Sequence, residues 1–376
     1  MKTLFVGVYK DGTGWGNAAQ NYILALDSAG VDVVPRSIKL NSFDAEIPDR
    51  IKDLEKKDIS GCNIVIQNLL PYHMEYNGRF EKNIGLYFTE TDSIKRSGWV
   101  EKINLMDEAW VANSQSAEIS RTSGVGVPIK TFPVPIDTSL YEKEYDDLYD
   151  QLPQLKDSFV FYFVGEVTRR KNLVALLKAF HLEFHPYEDV HLLVKANLSG
   201  LSEDECSQRV QEMCDTVKQE LKLYKNKNDY KQELVLSQGV SQELMMVLHN
   251  TCDCFVMPSF GEGWCMPAFD AMAMGNTPIV NNVGGLREFI DENTGWLVKN
   301  TKEPVFGMSN NSFSTMFTGR EGWWNIDVFD LMRCMREAYE DREKRKQKSD
   351  AGVNRAYDFS ISKIGKEMKD AIKNHT

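Results

Sequence analysis

The sequence predicts an α/β protein made of two doubly wound domains, each with a parallel sheet covered by helices on both faces. The chain has 376 residues, which is more than one hydrophobic core usually supports, so two domains are expected. Short apolar, β-rich segments alternate with helical segments, as in parallel sheets. One acidic, tyrosine-rich segment interrupts this alternation, which then begins again.

The first half begins with a strand, a glycine-rich loop and a helix, at TLFVGVY, KDGTGWG and NAAQNYILALDSAG. Further strands are predicted at VDVVPRSI, NIVIQNL and NIGLYFTE. The glycine loop is weak support for dinucleotide binding, because the pattern G-x-G-x-x-G would need glycine at Asn17. A purely structural tight turn is an alternative that the loop leaves open.

The segment YEKEYDDLYDQLPQLKDS is the predicted linker, because it is acidic and contains Pro153. It places an N-terminal domain at residues 1–152 and a C-terminal domain at residues 153–356. The second half continues with the predicted strands FVFYFVGEV, DVHLLVKAN, ELVLSQG, CDCFVMPS, TPIVNNVGG and GWLV. The segment from Phe329 to Lys348 predicts a single helix with a solvated, highly charged end.

Charge and cysteine content exclude several classes of protein. The formal net charge of -11 argues against a partner that is bound mainly through phosphate charge, such as duplex nucleic acid. Seven cysteines without CxxC spacing predict free buried thiols in a reducing compartment, not a zinc site or a disulfide scaffold. No apolar stretch approaches the length of a membrane span. We therefore expect a cytoplasmic protein, and a peripheral membrane contact stays open.

The stretch GEGWCMPAFDAMAMGNTPIV, residues 261–280, carries the main functional signal. It follows the buried strand CFVMPS, so its glycine loop lies at the strand's carboxyl end, where open α/β sheets bind ligands. Proline and glycine preferences predict a helix from Pro267 to Gly275 with Met266 as its N-cap. Methionine cannot accept hydrogen bonds from the first-turn amides, which therefore stay available to an anion.

Two carboxylates accompany this helix start, Glu262 in the loop and Asp270 in the predicted first turn. Carboxylates repel phosphate, so we expect them to accept hydrogen bonds from neutral hydroxyl groups, which sugars carry in abundance. The alternative is that Asp270 only complements the helix dipole and that Glu262 is a solvated loop residue. The combination with glycines and an absent cap favours a sugar-phosphate pocket.

The run MPSFGEGWCMPAFDAMAMGNTPIVNNVGGLREFI resembles the donor-site signature of retaining glycosyltransferases with the GT-B fold, especially glycosyltransferase family 4. That family has two acidic residues, usually both glutamate, separated by seven positions. Glu262 matches the first, and Asp270 stands where the second is usually glutamate. The segment VGEVTRRKNL resembles the loop that supplies a basic pair to the donor diphosphate, with Lys171 at the lysine position. Glu166 occupies the usual arginine position, so Arg169 and Arg170 are the candidates to replace it.

The resemblance extends to the N-terminal half through IGLYFTETDSIKRSGWVEKINLMDEAWVANSQSAEISRTSGV. It is similar to a subgroup with a glutamate, here Glu90, where many relatives have an active-site histidine. The resemblance implies two Rossmann-like domains that face each other across a cleft. It also implies that Gly16 lies in a loop facing the donor phosphates, and that a C-terminal helix at about residues 357–376 joins the N-terminal domain.

The function that this resemblance implies is a retaining, metal-independent hexosyltransferase. It would move a hexose-like sugar from a nucleoside diphosphate sugar to a hydroxyl of a glycan, a lipid-linked saccharide or another acceptor. No cofactor and no metal are expected. Catalytic roles are implied for Glu262, Lys171 and Glu90. Contacts with the donor are implied for Gly16, Arg169, Arg170, Gly263, Trp264, Cys265, Met266 and Asp270.

Two other functions stay open on the sequence alone. Glu166 and Asp270 both depart from the family pattern, which is compatible with a non-catalytic sugar-nucleotide-binding subunit of a glycosylation assembly. The third possibility is a related GT-B enzyme that acts on the sugar nucleotide itself, such as an epimerase. The sequence does not specify the base, the sugar or the acceptor.

Overall fold

The computed structural model of the chain describes residues 2–39, 45–198, 200–308 and 317–373. It divides into two units. Unit 1 comprises Met1–Leu140, Asn310–Gly322 and Tyr357–Thr376. Unit 2 comprises Tyr141–Ser309 and Trp323–Ala356. The predicted domain boundary at residue 152 lies further along the chain than this division.

Strands and helices alternate along most of unit 1. Their bounds are β1 (Lys2–Gly7), α1 (Gly14–Ser28), β2 (Asp32–Ser37), α2 (Asp49–Glu55), β3 (Ile64–Asn68), β4 (Lys82–Tyr87), α3 (Trp99–Ile103), β5 (Glu108–Val111), α4 (Ser114–Ser123) and β6 (Ile129–Thr131). Within the described residues these strands form one parallel sheet in the order β2-β1-β3-β4-β5-β6.

Unit 2 repeats the pattern with a second parallel sheet. Its elements are β7 (Phe159–Glu166), α5 (Leu173–Glu183), β8 (Val190–Asn197), α6 (Glu203–Leu221), β9 (Leu234–Leu236), α7 (Gln242–Thr251), β10 (Cys254–Met257), α8 (Met266–Ala273), β11 (Ile279–Asn281), α9 (Leu286–Phe289), β12 (Trp296–Val298), β13 (Asn300–Pro304), β14 (Gly322–Ile326), α10 (Val328–Glu340) and α11 (Arg342–Ala356). In the described part of this unit the sheet order is β12-β11-β10-β7-β8-β9, and β13 pairs with β14.

The central strands are apolar along nearly their whole length because helices cover both faces of each sheet. In β7, Phe161, Tyr162 and Phe163 are all fully buried. Phe161 lies opposite Leu192 of β8 and Cys254 of β10, so apolar side chains continue across the sheet. The predicted α/β class with two doubly wound sheets is confirmed.

Each sheet has a point where the order of its strands reverses. In unit 2 the chain passes from β7 to β8 and β9 on one side, and then to β10, β11 and β12 on the other. In unit 1 the same reversal lies between β1 and β3. The loops that follow these strands meet at the carboxyl edge, which is the usual ligand site of open α/β sheets.

The helix predicted as a single element from Phe329 to Lys348 is instead two helices, α10 and α11. Asp341 separates them with non-helical backbone angles, φ -91° and ψ 79°. Its carboxylate accepts a hydrogen bond from the amide of Lys344 at 2.9 Å, so it caps the start of α11. Aspartate competes with helical hydrogen bonding in this way and favours helix ends.

A last helix, α12 (Ile361–Lys373), follows unit 2 in the sequence but packs on α1 in unit 1. Gly365 allows the close approach, since a Cβ at this position would lie 2.1 Å from the carbonyl oxygen of Ala25. The chain enters this helix through a bridge between Ile136 and Ser360. Of the predicted helix at residues 357–376, residues 374–376 lie outside the described part of the chain.

Candidate active site

Two loops meet at the strand reversal of unit 2, one after β7 and one after β10. The first contains a 3₁₀ turn, Arg169–Lys171, and leads into α5. The second contains Glu262 and leads into α8. The amide of Phe260 donates to the carbonyl of Arg170 at 2.8 Å, which ties the two loops together through their backbones.

Glu262, Lys171 and Arg170 form a buried ion cluster between these loops. The Nζ of Lys171 lies 2.8 Å from Oε1 of Glu262, and an Nη1 of Arg170 lies 3.2 Å from the same oxygen. The exposed fraction of the side chain is 13% for Lys171, 16% for Arg170 and 4% for Glu262. Glu262 therefore lies in the loop, as predicted, but the solvated alternative is wrong.

The charges in the cluster determine the ionisation of Glu262. Burial by itself would raise the pKa of its carboxyl group. The charges of Lys171 and Arg170 and the hydrogen bond from Lys171 outweigh burial, so the net pKa is lowered. Glu262 is therefore an ionised hydrogen-bond acceptor held between two cations at neutral pH.

Of the two candidate arginines, Arg170 joins Lys171 at Glu262. Arg170 also donates to the carbonyl of Gly261 at 2.7 Å, which fixes its guanidinium against the second loop. Arg169 lies over the ring of Phe260, at 5.1 Å from the ring centroid. Phe260 in turn stacks on the buried Trp323 at a centroid distance of 4.3 Å. Arg169 is thus part of an aromatic stack beside the cluster.

Helix α8 begins without a side-chain cap, as predicted. Its first residue lies one position earlier than predicted. It starts at Met266, so the N-cap is Cys265 and not Met266. Cys265 has left-handed backbone angles, φ 82° and ψ 77°, which are uncommon for a residue with a side chain. It makes no side-chain cap hydrogen bond, and Pro267 lies in the first turn. Burial raises the pKa of the Cys265 thiol to about 12.

The side chain of Trp264 lies on the inner side of the loop. Trp264 is buried, with its ring 6.1 Å from that of Phe269 and 5.0 Å from that of Phe289. Its indole thus belongs to the core beneath the loop. The predicted donor contact of Trp264 would therefore be made by its backbone. The donor contacts predicted for this loop stay predictions.

The sequence predicted Asp270 in the first turn of α8. It lies in the second turn, because the helix starts at Met266. The hydroxyl group of Tyr141 donates to its Oδ1 at 2.6 Å. Burial raises the pKa of the Asp270 carboxyl to about 6, against the smaller lowering effect of that hydrogen bond. The Asp270 carboxylate is a half-buried acceptor whose charge changes close to neutral pH.

A pair of glycines, Gly284 and Gly285, supports the Glu262 loop and was not assigned from the sequence. The amide of Gly285 donates to the carbonyl of Glu262 at 2.9 Å. A Cβ on Gly284, whose φ is 54°, would lie 2.1 Å from that same carbonyl oxygen. The sequence signal was the adjacent glycines directly after a buried strand, which is typical of close backbone approach.

Two predicted site residues belong to unit 1, at the carboxyl edge of its sheet. Gly16 lies in α1, and its amide donates to the Oγ1 of Thr13 at 3.1 Å. A Cβ on Gly16 would lie 2.0 Å from the carbonyl oxygen of Asp11, so tight packing requires glycine there. Glu90 follows β4 and is half-buried. The roles of Gly16 and Glu90 toward a donor or an acceptor stay predictions.

The described ranges lack a metal-binding cluster and a membrane-spanning helix. They contain no group of three or more His, Cys, Asp or Glu side chains that could hold a metal ion. No helix among them has the length and apolarity that crossing a membrane requires. All seven cysteines are free thiols, and six of them are buried, as predicted.

Comparisons with known proteins agree with the geometry of unit 2. Residues 145–305, which include both loops, match the family described as glycosyl transferases group 1. An uncharacterized glycosyltransferase of Methanocaldococcus jannaschii is 26% identical over 243 residues, which is 62% of this chain and 52% of that protein. The chain thus spans about half the length of this curated relative.

Solved structures match over the whole chain. Sucrose-phosphate synthase from Thermosynechococcus elongatus is 16% identical, with a TM-score of 0.67 over 100% of this chain and 99% of that one. Anabaena HepE in complex with UDP-glucose is 12% identical, with a TM-score of 0.66 over 100% of both chains. Residues 145–305 are thus similar to the group 1 glycosyltransferases, and the chain has the GT-B fold that its motifs predicted.

Proposed function

We propose that the protein is a retaining, metal-independent glycosyltransferase that moves a hexose-like sugar from a nucleoside diphosphate sugar to an acceptor hydroxyl. The buried cluster of Glu262, Lys171 and Arg170 beside the uncapped start of α8 carries this proposal. Two cations and one carboxylate give the cluster a net charge of +1. The first-turn amides of α8 add a second attraction for anions. The site therefore suits a diphosphate with sugar hydroxyls next to it.

Lys171 and Arg170 would act on the leaving group. Negative charge grows on the departing diphosphate as its bond to the sugar breaks, so nearby cations stabilise the transition state more than the ground state. Both side chains are already ordered against Glu262. Donor binding would therefore cost less side-chain entropy than it would with two mobile cations.

The two carboxylates would contact hydroxyl groups of the donor. Both cations meet at Oε1 of Glu262, and we assign the remaining acceptor positions of the carboxylate to the sugar hydroxyls near the reacting carbon. Asp270, further along α8, would accept hydrogen bonds from the nucleotide ribose. An ionised carboxylate only accepts hydrogen bonds, which suits both partners.

The remaining parts of the proposal are supported by resemblance. HepE is in complex with UDP-glucose and has the same fold, which supports a nucleotide-sugar donor for this chain. Retention without an enzyme nucleophile corresponds to attack on the same face of the sugar, with the leaving phosphate removing the acceptor proton. In unit 1, Glu90 would lie beside the acceptor hydroxyl and Gly16 near the donor phosphates.

The first experiment identifies the donor. Thermal shifts of the purified protein are measured with UDP-, GDP- and ADP-sugars and with the matching diphosphates. A ligand at about 100 times its Kd stabilises the folded protein by about 2.7 kcal/mol, which is readily detected. The proposal expects one base to dominate, and an absence of binding by all of them would contradict it.

The second experiment tests transfer, using the donor that binds. Incubation with glycan, lipid-linked and simple hydroxyl acceptors is followed by NMR, which reads the anomeric configuration of the product. Activity in the presence of EDTA tests metal independence. Donor binding without hydrolysis or transfer would favour the non-catalytic subunit. An isomerised sugar nucleotide, formed without acceptor, would favour the epimerase.

A further inference from the structure

The contact between Tyr141 and Asp270 is a feature that no sequence motif predicted. Tyr141 lies in the 3₁₀ turn Thr138–Glu142, at the residue where unit 2 begins. Its hydroxyl group donates to Oδ1 of Asp270 at 2.6 Å. Its ring lies 6.5 Å from that of Phe269, the preceding residue in α8. The side chain thus reaches α8 from a segment 129 residues away in sequence.

This hydrogen bond is of the strong kind. Hydroxyl-to-carboxylate bonds of about 2.5–2.7 Å are charge-assisted and are roughly twice as strong as neutral ones. The terminal torsion of an aspartate side chain is otherwise broad, so the carboxylate plane is poorly fixed by its own rotamer. A donor on Oδ1 fixes that plane and leaves Oδ2 as the acceptor for a ligand.

We propose that Tyr141 is a positioning residue for the nucleotide site, whose hydroxyl group holds the Asp270 carboxylate in the orientation that accepts hydrogen bonds from the ribose of a nucleoside diphosphate. This inference rests on the proposed function, because it takes Asp270 as the ribose acceptor.

Tyr141 also affects the charge of Asp270. Burial raises the pKa of this carboxyl to about 6, and the hydrogen bond from Tyr141 opposes that rise. Tyr162, on β7, also interacts electrostatically with Asp270. Burial raises the pKa of Tyr162 well above its ordinary value, and its hydroxyl group contacts His249 at 2.6 Å. Burial lowers the pKa of His249 to about 3, so Tyr162 and His249 both stay neutral between pH 5 and 8.

The test is a double-mutant cycle on nucleotide affinity. Wild type, Tyr141→Phe, Asp270→Asn and the double variant are titrated calorimetrically from pH 5 to 8 with UDP, GDP and ADP. We expect Tyr141→Phe to weaken binding of the preferred diphosphate about tenfold at pH 7. It should also move the pH midpoint of binding upward, because Asp270 loses the bond that lowers its pKa. In the Asp270→Asn background the same change should have no effect.

The control is Tyr149→Phe, which removes a hydroxyl group from the same segment of unit 2 and should leave affinity and pH midpoint unchanged. Unchanged or tighter binding by Tyr141→Phe, while Asp270→Asn weakens it, would overturn the positioning role alone. Failure of the wild type to bind any diphosphate would overturn the proposed function as well. Circular dichroism of each variant verifies that the fold is intact.

Discussion

In both units a loop and a helix follow the strand at the reversal of the sheet. The two helices differ in whether a side chain caps their first turn. In unit 1, Thr13 caps α1 by accepting the amide hydrogen bond of Gly16. In unit 2, α8 starts at the left-handed Cys265 without a side-chain cap. Trp15 of unit 1 donates to Asn68 across the strand reversal at 3.1 Å, which is a neutral contact. The corresponding contact in unit 2 is the ion cluster at Glu262.

The difference shows that two glycine-rich loops at corresponding sheet edges can lead into helix starts of different chemistry. In unit 1 the glycine at position 16 is required by packing against the carbonyl of Asp11, and its amide already has a partner. In unit 2 the helix start is uncapped and adjoins two buried cations. The cap and the neighbouring charges, more than the glycines, distinguish the two helix starts, and they are the reason why an anion site is proposed in unit 2.

Lys171→Ala should have the largest effect on activity. It tests whether the buried cations beside the start of α8 distinguish unit 2 from unit 1. In the proposed mechanism it removes a positive charge beside the leaving diphosphate, so turnover should fall by about 10²–10³-fold, or about 2.7–4 kcal/mol. Donor affinity should fall less. The measurements are kcat and the donor Kd, with the exposed Lys225→Ala as control. An equal loss of donor affinity, with unchanged turnover at saturation, would mean that Lys171 only binds the ground state.

Asp270→Asn should weaken nucleoside diphosphate binding by about 1.5–3 kcal/mol at pH 7.5, because a charged acceptor is lost. The pKa of Asp270 is raised to about 6, so the wild-type carboxyl is charged above that pH and neutral below it. The difference in Kd between wild type and variant should therefore shrink as the pH falls through 6. Asp270→Glu, the control, should retain affinity. A difference that is constant from pH 5 to 8 would contradict the ionised acceptor.

Thr13→Ala should destabilise the start of α1 by about 1 kcal/mol, since it removes the side-chain acceptor of an N-cap. Hydrogen exchange of the first-turn amides of α1 measures this locally. Thr13→Ser, which keeps the hydroxyl group, serves as the matched control. Unchanged exchange in the alanine variant would show that the contrast between the two helix starts is not energetic.

Cys265→Gly should have the smallest effect on stability. The informative result is whether this variant is more or less stable than Cys265→Ala. Glycine adopts a φ of 82° without the penalty of a side chain, so it should be about 1 kcal/mol more stable here than Cys265→Ala. At ordinary helical positions the order is reversed. Denaturant midpoints of the two variants give the comparison. A more stable alanine variant would contradict backbone strain at the start of α8.

The sequence predicted the features that depend on local pattern. Periodicity and strand alternation identified both sheets, and the glycine loop with Glu262 identified the site of the ion cluster. Predictions that depended on single helix ends were less accurate. The start of α8 was misplaced by one residue because the left-handed Cys265, not Met266, ends the loop. Asp341 was not recognised as a helix break because charged residues surround it.

Long-range contacts account for the rest. Tyr141 reaches Asp270 across 129 residues of sequence, and no periodicity connects the two. The choice of Arg170 over Arg169 depends on a backbone bond between two loops that follow different strands. Neighbouring arginines in one turn are equivalent in a sequence pattern. The packing of Phe260 on Trp323, with Arg169 over the Phe260 ring, also separates their environments.

The position of α12 has a consequence for synthesis on the ribosome. This helix packs on α1, near the beginning of the chain, yet it follows all of unit 2 in the sequence. The first segment of unit 1, Met1–Leu140, therefore leaves the ribosome with the α12-facing side of α1 uncovered, and that side stays uncovered while unit 2 is translated. Gly365 and the Ala25 carbonyl can meet only after that interval. A nascent chain arrested before Ile361 would thus carry an unprotected α1 surface, available to chaperones or to aggregation.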